Sequence, residues 1–332
     1  MPTLLRTPRR FVTKSLAFVI AFTSFAILPC IASASTDWSP IQTALNAPGT
    51  PFPGNVLRFE LVRQDLPSLT VNGVSVPPEE FAAIASGFIA FKADSHGRFF
   101  VDGSLPAQES EVAALQIALR KNPQIQITAI ADKVIGESPR FTWVNFEADG
   151  DGAVIAATLN TALETIQSPQ LNVSVVIGTN QVFNPSSLLP PKFLKLYNEG
   201  TVEQLTDIFV FYLPRPDEQS IQLAEGVPAE TGLGVGQTFY IQIPFSGGTN
   251  NATLNIDFAL RHPEVQAVED TLRAGGFTVT SETNHYLGEE PRLTFVHATA
   301  SGDGLTLGAT LYQVIQIIQS DSHYGHGNNW NH

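Results

Sequence analysis

Apolar and polar positions along the chain follow two periods, and the order in which those periods occur repeats once. Val56 to Val62 alternates loosely, as a half-buried strand does, and runs into Arg63-Gln64-Asp65. Leu69 to Val76 is a second alternating run, broken at Asn72-Gly73, a pair suited to the positive φ of a tight hairpin. Phe88 to Phe91 and Phe99 to Val101 add two strands. The period then lengthens: Val112, Leu115 and Leu119 share one helical face, opened by Glu111 and stopped by Asn122-Pro123. Ile125, Ile127 and Ala129 return to alternation, and Phe141 to Val144 is the next strand. Ile155, Leu159, Ala162 and Ile166 line a second helix, which the acidic turn Asp149-Gly150-Asp151-Gly152 caps.

The second half carries the same programme. Ile135-Gly136-Glu137-Ser138-Pro139-Arg140 returns as Leu287-Gly288-Glu289-Glu290-Pro291-Arg292, 152 positions on (288 − 136). Arg215-Pro216-Asp217 falls on Arg63-Gln64-Asp65 at the same offset. Val265, Val268 and Leu272 fall on the first helix, and Leu307, Leu311, Val314 and Ile318 on the second. Coincidence helix for helix marks a duplicated domain, and the unit is too long for a solenoid repeat. The expected class is α+β: two tandem homologous domains, each a mostly antiparallel sheet ending in a β-α-β-β-α unit with helices on one face. The expected boundaries are a signal peptide at 1–34, a lead-in of short helix and loop at 35–54, repeat one at 55–167, and a proline-rich linker at 168–206 with one strand-like piece, Val173 to Ile177. Repeat two follows at 207–319, and a disordered tail with His323, His326 and His332 at 320–332. A loose metal-binding role for that tail is an alternative.

Arg6, Arg9, Arg10 and Lys14 precede an apolar run from Leu16 to Leu28 and the small-x-small site Ala32-Ser33-Ala34. This is the layout of an export signal, too short for a stable membrane anchor. The expected product is periplasmic or secreted, without a transmembrane segment. A lipoprotein acylated at Cys30 is the alternative, although Pro29 fits a lipobox poorly. The formal net charge of −13 becomes −17 once those four cations leave (14 − 31), which disfavours nucleic acid as a partner. Cleavage also removes Cys30 and Met1, the sole cysteine and methionine. Disulfides, thiol nucleophiles and cysteine-ligated metals are thereby excluded from the mature chain.

The chemistry concentrates near the second copy of the turn. Neutral imidazoles and carboxylates suit zinc and similar divalent metals, or acid–base work near neutral pH. His285, Glu289 and His297 are the catalytic candidates. Glu282, Asn284, His285, Glu289, Arg292 and His297 are the ligand-binding candidates, with His285 and His297 as metal ligands. A regular hairpin turning at Gly288-Glu289 would pair His285 with Arg292 and leave His297 about five residues, roughly 17 Å, further along. A shared metal therefore needs an irregular strand end between Ser281 and Leu287, or a ligand from another element. Without either, His297 is a hydrogen-bonded strand residue and His285 a surface group beside the turn. Glu-x-Pro-Arg occurs in both copies, including the one lacking histidines, which favours a structural role: glycine for the turn, proline to start the strand, arginine to pair with acid. Gly232-x-Gly234-x-Gly236 leads into a strand where a phosphate site needs a helix, so a loop is expected. Asp151-Gly152 and Asp303-Gly304 lack the spacing of a calcium loop.

Arg-x-Asp, Val-Pro before a strand, a helix opening Glu-Val, and Asn284-His285-Tyr286-Leu287-Gly288-Glu289-Glu290-Pro291-Arg292 with a strand ending at His297 together resemble the LppY/LpqO family. That family comprises exported bacterial proteins, often lipoproteins, built from a tandem domain of unknown function. The resemblance implies export and fold, and no established activity comes with it. Thr283 stands where members usually carry the first histidine of a His-Asn-His triplet. In repeat one the triplet is Ala131-Asp132-Lys133, and Asn145 takes the place of His297. The expected function is non-catalytic binding of a small ligand or envelope component, with the site in repeat two or between the repeats. The rival is a metal-dependent or His/Glu acid–base enzyme, or its degenerate descendant.

Overall fold

The computed structural model describes residues 36–324 except 72, 77, 79–80, 82–83, 95, 167–169, 172–200, 206–207 and 243–251. The leader, the strand-like piece at 173–177 and the end of the tail lie outside the described residues. The chain is α+β, with antiparallel sheets and few helices.

In the first half, helix α1 (Ser39–Leu45) precedes strands β1 (Thr50–Phe52) and β2 (Val56–Val62), the hairpin β3 (Leu69–Val71) and β4 (Val74–Val76), β5 (Ser86–Ala93) and β6 (Phe99–Gln108). Helix α2 (Val112–Leu119), β7 (Ile125–Ala131), the short β8 (Glu137–Ser138), β9 (Phe141–Gly150) and α3 (Gly152–Leu163) complete it, with β10 (Gln170–Leu171) returning to pair with β2. Its sheet runs β1-β2-β5-β6-β9-β7. The second half supplies β11 (Thr201–Leu205), β12 (Ile208–Pro214), β13 (Gly236–Gln242), β14 (Ala252–Arg261), helix α4 (His262–Ala274), β15 (Thr278–Thr283), β16 (Leu293–Gly302) and helix α5 (Gly304–Tyr324). Its sheet runs β11-β12-β13-β14-β16-β15. Strand for strand the order is the same, down to a bulge between Ile127 and Ala129 in one copy and between Val279 and Ser281 in the other.

Three expected boundaries shift. β11 pairs along β12, so repeat two begins by Thr201 and not at 207. Ile41 and Leu45 of α1 are buried in the core of repeat one, so the lead-in belongs to that domain. α5 runs through Tyr324, past the expected stop at 319.

Alternation decides which face of each strand meets what. Val144, Phe146 and Ala148 of β9 pack with Leu115, Leu119, Ile155 and Leu159 of α2 and α3, as do Val101 and Leu105 of β6. Leu254, Ile256 and Phe258 of β14 and Val296 and Ala298 of β16 pack with Val268, Leu272, Leu311 and Val314 of α4 and α5. The opposite faces share a third core, in which Val56, Phe88 and Phe100 of repeat one meet Ala259, Tyr286, Leu293 and Phe295 of repeat two, with Ile221, Leu223 and Leu233 from the segment before β13. The helices thus cover the outer faces, and the inner faces of the two sheets meet.

The Arg-x-Asp motif explains itself as a buried brace. Arg63, fully buried, pairs with Asp65 (2.8 Å) and with Glu111 (2.8 Å), the residue that opens α2, and donates to the Pro106 carbonyl. Arg215 repeats every contact: Asp217 (2.9 Å), Glu264 in α4 (2.8 Å) and the Ala259 carbonyl. A buried guanidinium persists only where its donors are matched, and both copies match it. The glycine-rich stretch is also structural. Gly234 has φ +83°, and a Cβ there would lie 2.9 Å from the Phe88 ring of repeat one, so this loop needs glycine to approach the other half.

Candidate functional site

The Glu-x-Pro-Arg turn positions the site in repeat two. In both copies the glutamate is buried and accepts from the backbone four residues on: Glu137 from the Phe141 amide (3.2 Å), Glu289 from the Leu293 amide (3.1 Å). Each loop also bridges to a segment after the Arg-x-Asp motif, Ser138 to Thr70 and Glu290 to Gln222. The peptide before each proline is cis. The expected structural role of this motif therefore fits. Arg292 is exposed and reaches Glu289 at 3.4 Å.

The regular hairpin does not form, and here the expectation needs correcting. β15 ends at Thr283 opposite Phe295, and nine residues, 284–292, separate it from β16. The bulge between Val279 and Ser281 reverses strand parity. Phe277 and Val279 face the helices, whereas His285 turns to the inner face and stacks on Phe295 with ring centroids 3.9 Å apart. The same fold-back carries it to His297, centroid to centroid 5.9 Å. The separation of roughly 17 Å expected for an unbroken ladder is thus abolished. Both escape conditions are met, because the strand end is irregular and a third group arrives from another element.

That group is Asp257 of β14, directly across the ladder from His297. Its Oδ2 lies 3.4 Å from His297 Nδ1. One ligand atom from each of Asp257, His285 and His297 can be chosen so that all lie within 4.8 Å of one another. Both imidazoles are 3% exposed, and His285 Nε2, His297 Nε2 and Asp257 Oδ1 have no hydrogen-bond partner among the described residues. Lys133, from the equivalent loop of repeat one, brings its Nζ to 3.8 Å from Asp257 Oδ2. Burial pushes both histidines well below 6.5, and Lys133 adds to the shift. Burial raises Asp257 to about 6 against the opposing charge of Lys133, and the Lys133 ammonium is itself lowered by burial. Neutral imidazoles beside a carboxylate are metal-competent ligands as they stand.

These side chains line a cleft between the repeats of about 730 Å³, its open mouth included. Arg58, Phe88, Ser104 and Trp143 contribute from repeat one, Thr238 and Asn255 from repeat two. Ser104 pairs with Asn145 across the first sheet as Asp257 pairs with His297 across the second. The repeat-one counterparts of Asp257, His285 and His297 are therefore Ser104, Lys133 and Asn145, and Ser104 and Lys133 line the same cleft as the three residues of repeat two.

Of the other candidates, Glu282 and Asn284 are exposed, and Glu289 is committed to its loop. Sequence reasoning missed Asp257 and Lys133. It also missed Tyr286, whose hydroxyl donates to the Leu233 carbonyl (2.5 Å) and lies 3.2 Å from Asp102 in repeat one. Beside it Glu147, pushed up to about 7 by burial, accepts from the Leu287 amide (3.1 Å). The loop carrying His285 is thus fastened to repeat one on both sides, since Thr280 also donates to the Lys133 carbonyl (2.8 Å). Among the described residues, no helix is long and apolar enough to cross a membrane.

Two stretches, residues 39–165 and 196–317, match one family model, described as Domain of Unknown Function (DUF1259). The chain belongs to this family. The two matches fall on the two repeats, so the family domain is present in tandem. No curated protein matches the sequence. Among solved structures, EtuB from Clostridium kluyveri is similar at 10% identity and a TM-score of 0.20, over 83% of this chain and 92% of that one. The double-ringed trimeric shell protein MSM0271 from the RMM microcompartment follows at 12% identity and a TM-score of 0.17, over 68% and 83%. Likeness at that level carries no conclusion about either fold or role.

Proposed function

We propose that this member of the DUF1259 family is an exported binding protein of the LppY/LpqO type, which holds a small ligand or envelope component in the cleft between its repeats. One observation carries this reading: the buried His285 and His297 and the partly buried Asp257 line the same cleft, and each has an atom with no hydrogen-bond partner among the described residues. Buried polar atoms are ordinarily paired, and clustered exceptions mark places where something else completes them. Polar groups mixed with Phe88 and Trp143 suit a small ligand that has both polar and apolar parts. Export is supported by the basic, apolar and small-x-small order of residues 1–34. Acylation at Cys30 remains the alternative route to the envelope.

The test is native mass spectrometry of the untagged protein released gently from its own envelope. The expected result is a retained low-mass species in the wild type that is absent from folded His297→Ala. A wild type without bound species, under conditions that keep other binding proteins loaded, argues against the reading.

Catalysis is the second reading, favoured by Asp257. A carboxylate near pH 6 beside two neutral imidazoles is poised for proton transfer at neutral pH. Conversion of the retained species on incubation would select it; recovery of the species unchanged selects binding.

A further inference from the structure

We propose that Asp257, His285 and His297 together bind one divalent transition-metal ion, and that Lys133 competes with it for Asp257. This rests on the inter-repeat cleft being the binding site, and names what the cleft takes first. The ligand atoms are already gathered within 4.8 Å of one another. His285 is held by its stack on Phe295 at 3.9 Å, so little side-chain freedom is lost when a metal arrives. Among the described residues, the imidazole nitrogens Nε2 and one carboxylate oxygen lack partners although both histidines are 3% exposed.

Two imidazoles and one carboxylate select zinc, iron(II), cobalt or manganese over calcium and magnesium, which prefer all-oxygen sites. Three protein ligands leave at least one coordination position free, the mark of a site that binds something further and not of a closed structural centre. That position is available to a donor atom of a ligand in the cleft. Repeat one cannot do the same. Its matching positions hold Ser104, Lys133 and Asn145, so the stoichiometry is one per chain. Lys133 takes the place of an imidazole and brings a cation to 3.8 Å from Asp257. It neutralises the carboxylate without metal and must withdraw when metal enters.

The experiment titrates Co²⁺ and Zn²⁺ into the untagged full chain, with His323→Asn, His326→Asn and His332→Asn removing the other C-terminal imidazoles. Calorimetry gives stoichiometry, and the visible spectrum of bound Co²⁺ reports nitrogen and oxygen ligation. One ion per chain is expected. His297→Ala and the near-isosteric Asp257→Asn should each weaken binding by more than the roughly 10- to 100-fold typical of an outer-shell change. Lys133→Met should tighten it by about tenfold, since a like charge near the ion is removed. That gain decides the matter even if a ligand variant fails to fold. Absence of binding, or affinities unmoved by all three variants, overturns the proposal. If metal does not bind but the natively retained species still depends on His297, the cleft reading survives and the metal proposal alone fails.

Discussion

Lys133 Nζ lies 3.8 Å from Asp257 Oδ2, and Lys133 occupies in repeat one the position that His285 takes in repeat two. A duplicated loop has thus delivered a cation from one copy against the acid of the other. Lys133→Met removes the charge that lowers Asp257, so the carboxyl should titrate above its present value of about 6. Carbon-detected NMR of the side-chain carboxyl measures this directly. An unchanged midpoint would mean that the two groups do not sense each other.

The two arginine braces should fail alike. Glu111→Ala and Glu264→Ala each leave a buried guanidinium short of one of its two carboxylate partners. Each should cost about 3–5 kcal/mol in chemical denaturation, the range for breaking a buried pair from one side. A large loss in only one repeat would contradict the equivalence drawn from the shared contacts.

Glu147 should make stability fall with rising pH. Its folded value of about 7 lies above the ordinary 4.5, so the folded state holds the extra proton across that window. The resulting penalty is absent below 4.5, grows between 4.5 and 7, and is complete above 7. Glu147→Gln keeps an oxygen for the Leu287 amide and removes the charge. Its melting temperature relative to wild type should therefore rise as pH goes from about 5 to about 8. A difference that stays flat would place this carboxylate in a wetter setting.

The histidines act in the opposite sense. Burial holds His285 and His297 well below 6.5, so the unfolded chain takes up protons first as pH falls. Their contribution is whole above about 6.5 and is lost progressively below it. His297→Gln should blunt the acid sensitivity of unfolding, as thermal melts across the range from pH 7.5 to 5 would show.

The repeat, its helices and most strands were legible because burial follows period: Val112, Leu115 and Leu119 face the sheet as their spacing requires. Period two likewise puts His297 on one face with Leu293 and Phe295. The same parity would put His285 with Phe277 and Val279, because nothing in Thr278-Val279-Thr280-Ser281 marks the bulge: no glycine interrupts it. Asp257 did leave a trace. Leu254, Ile256 and Phe258 alternate with Asn255 and Asp257, which puts an acid mid-strand on the face away from the helices. What no single strand can disclose is the partner of that face. Lys133 meets Asp257 only because two domains turn their inner sheets together, a tertiary fact outside any local period.

The most direct test is an anomalous diffraction map, recorded at the cobalt edge, from crystals of the full chain equilibrated with Co²⁺. One strong peak bonded to Asp257, His285 and His297, with the Lys133 ammonium drawn away from Asp257, is the predicted result. Density for an ordered cleft with no peak among those three side chains, or with cobalt only at the exposed His96 or His262, would contradict it.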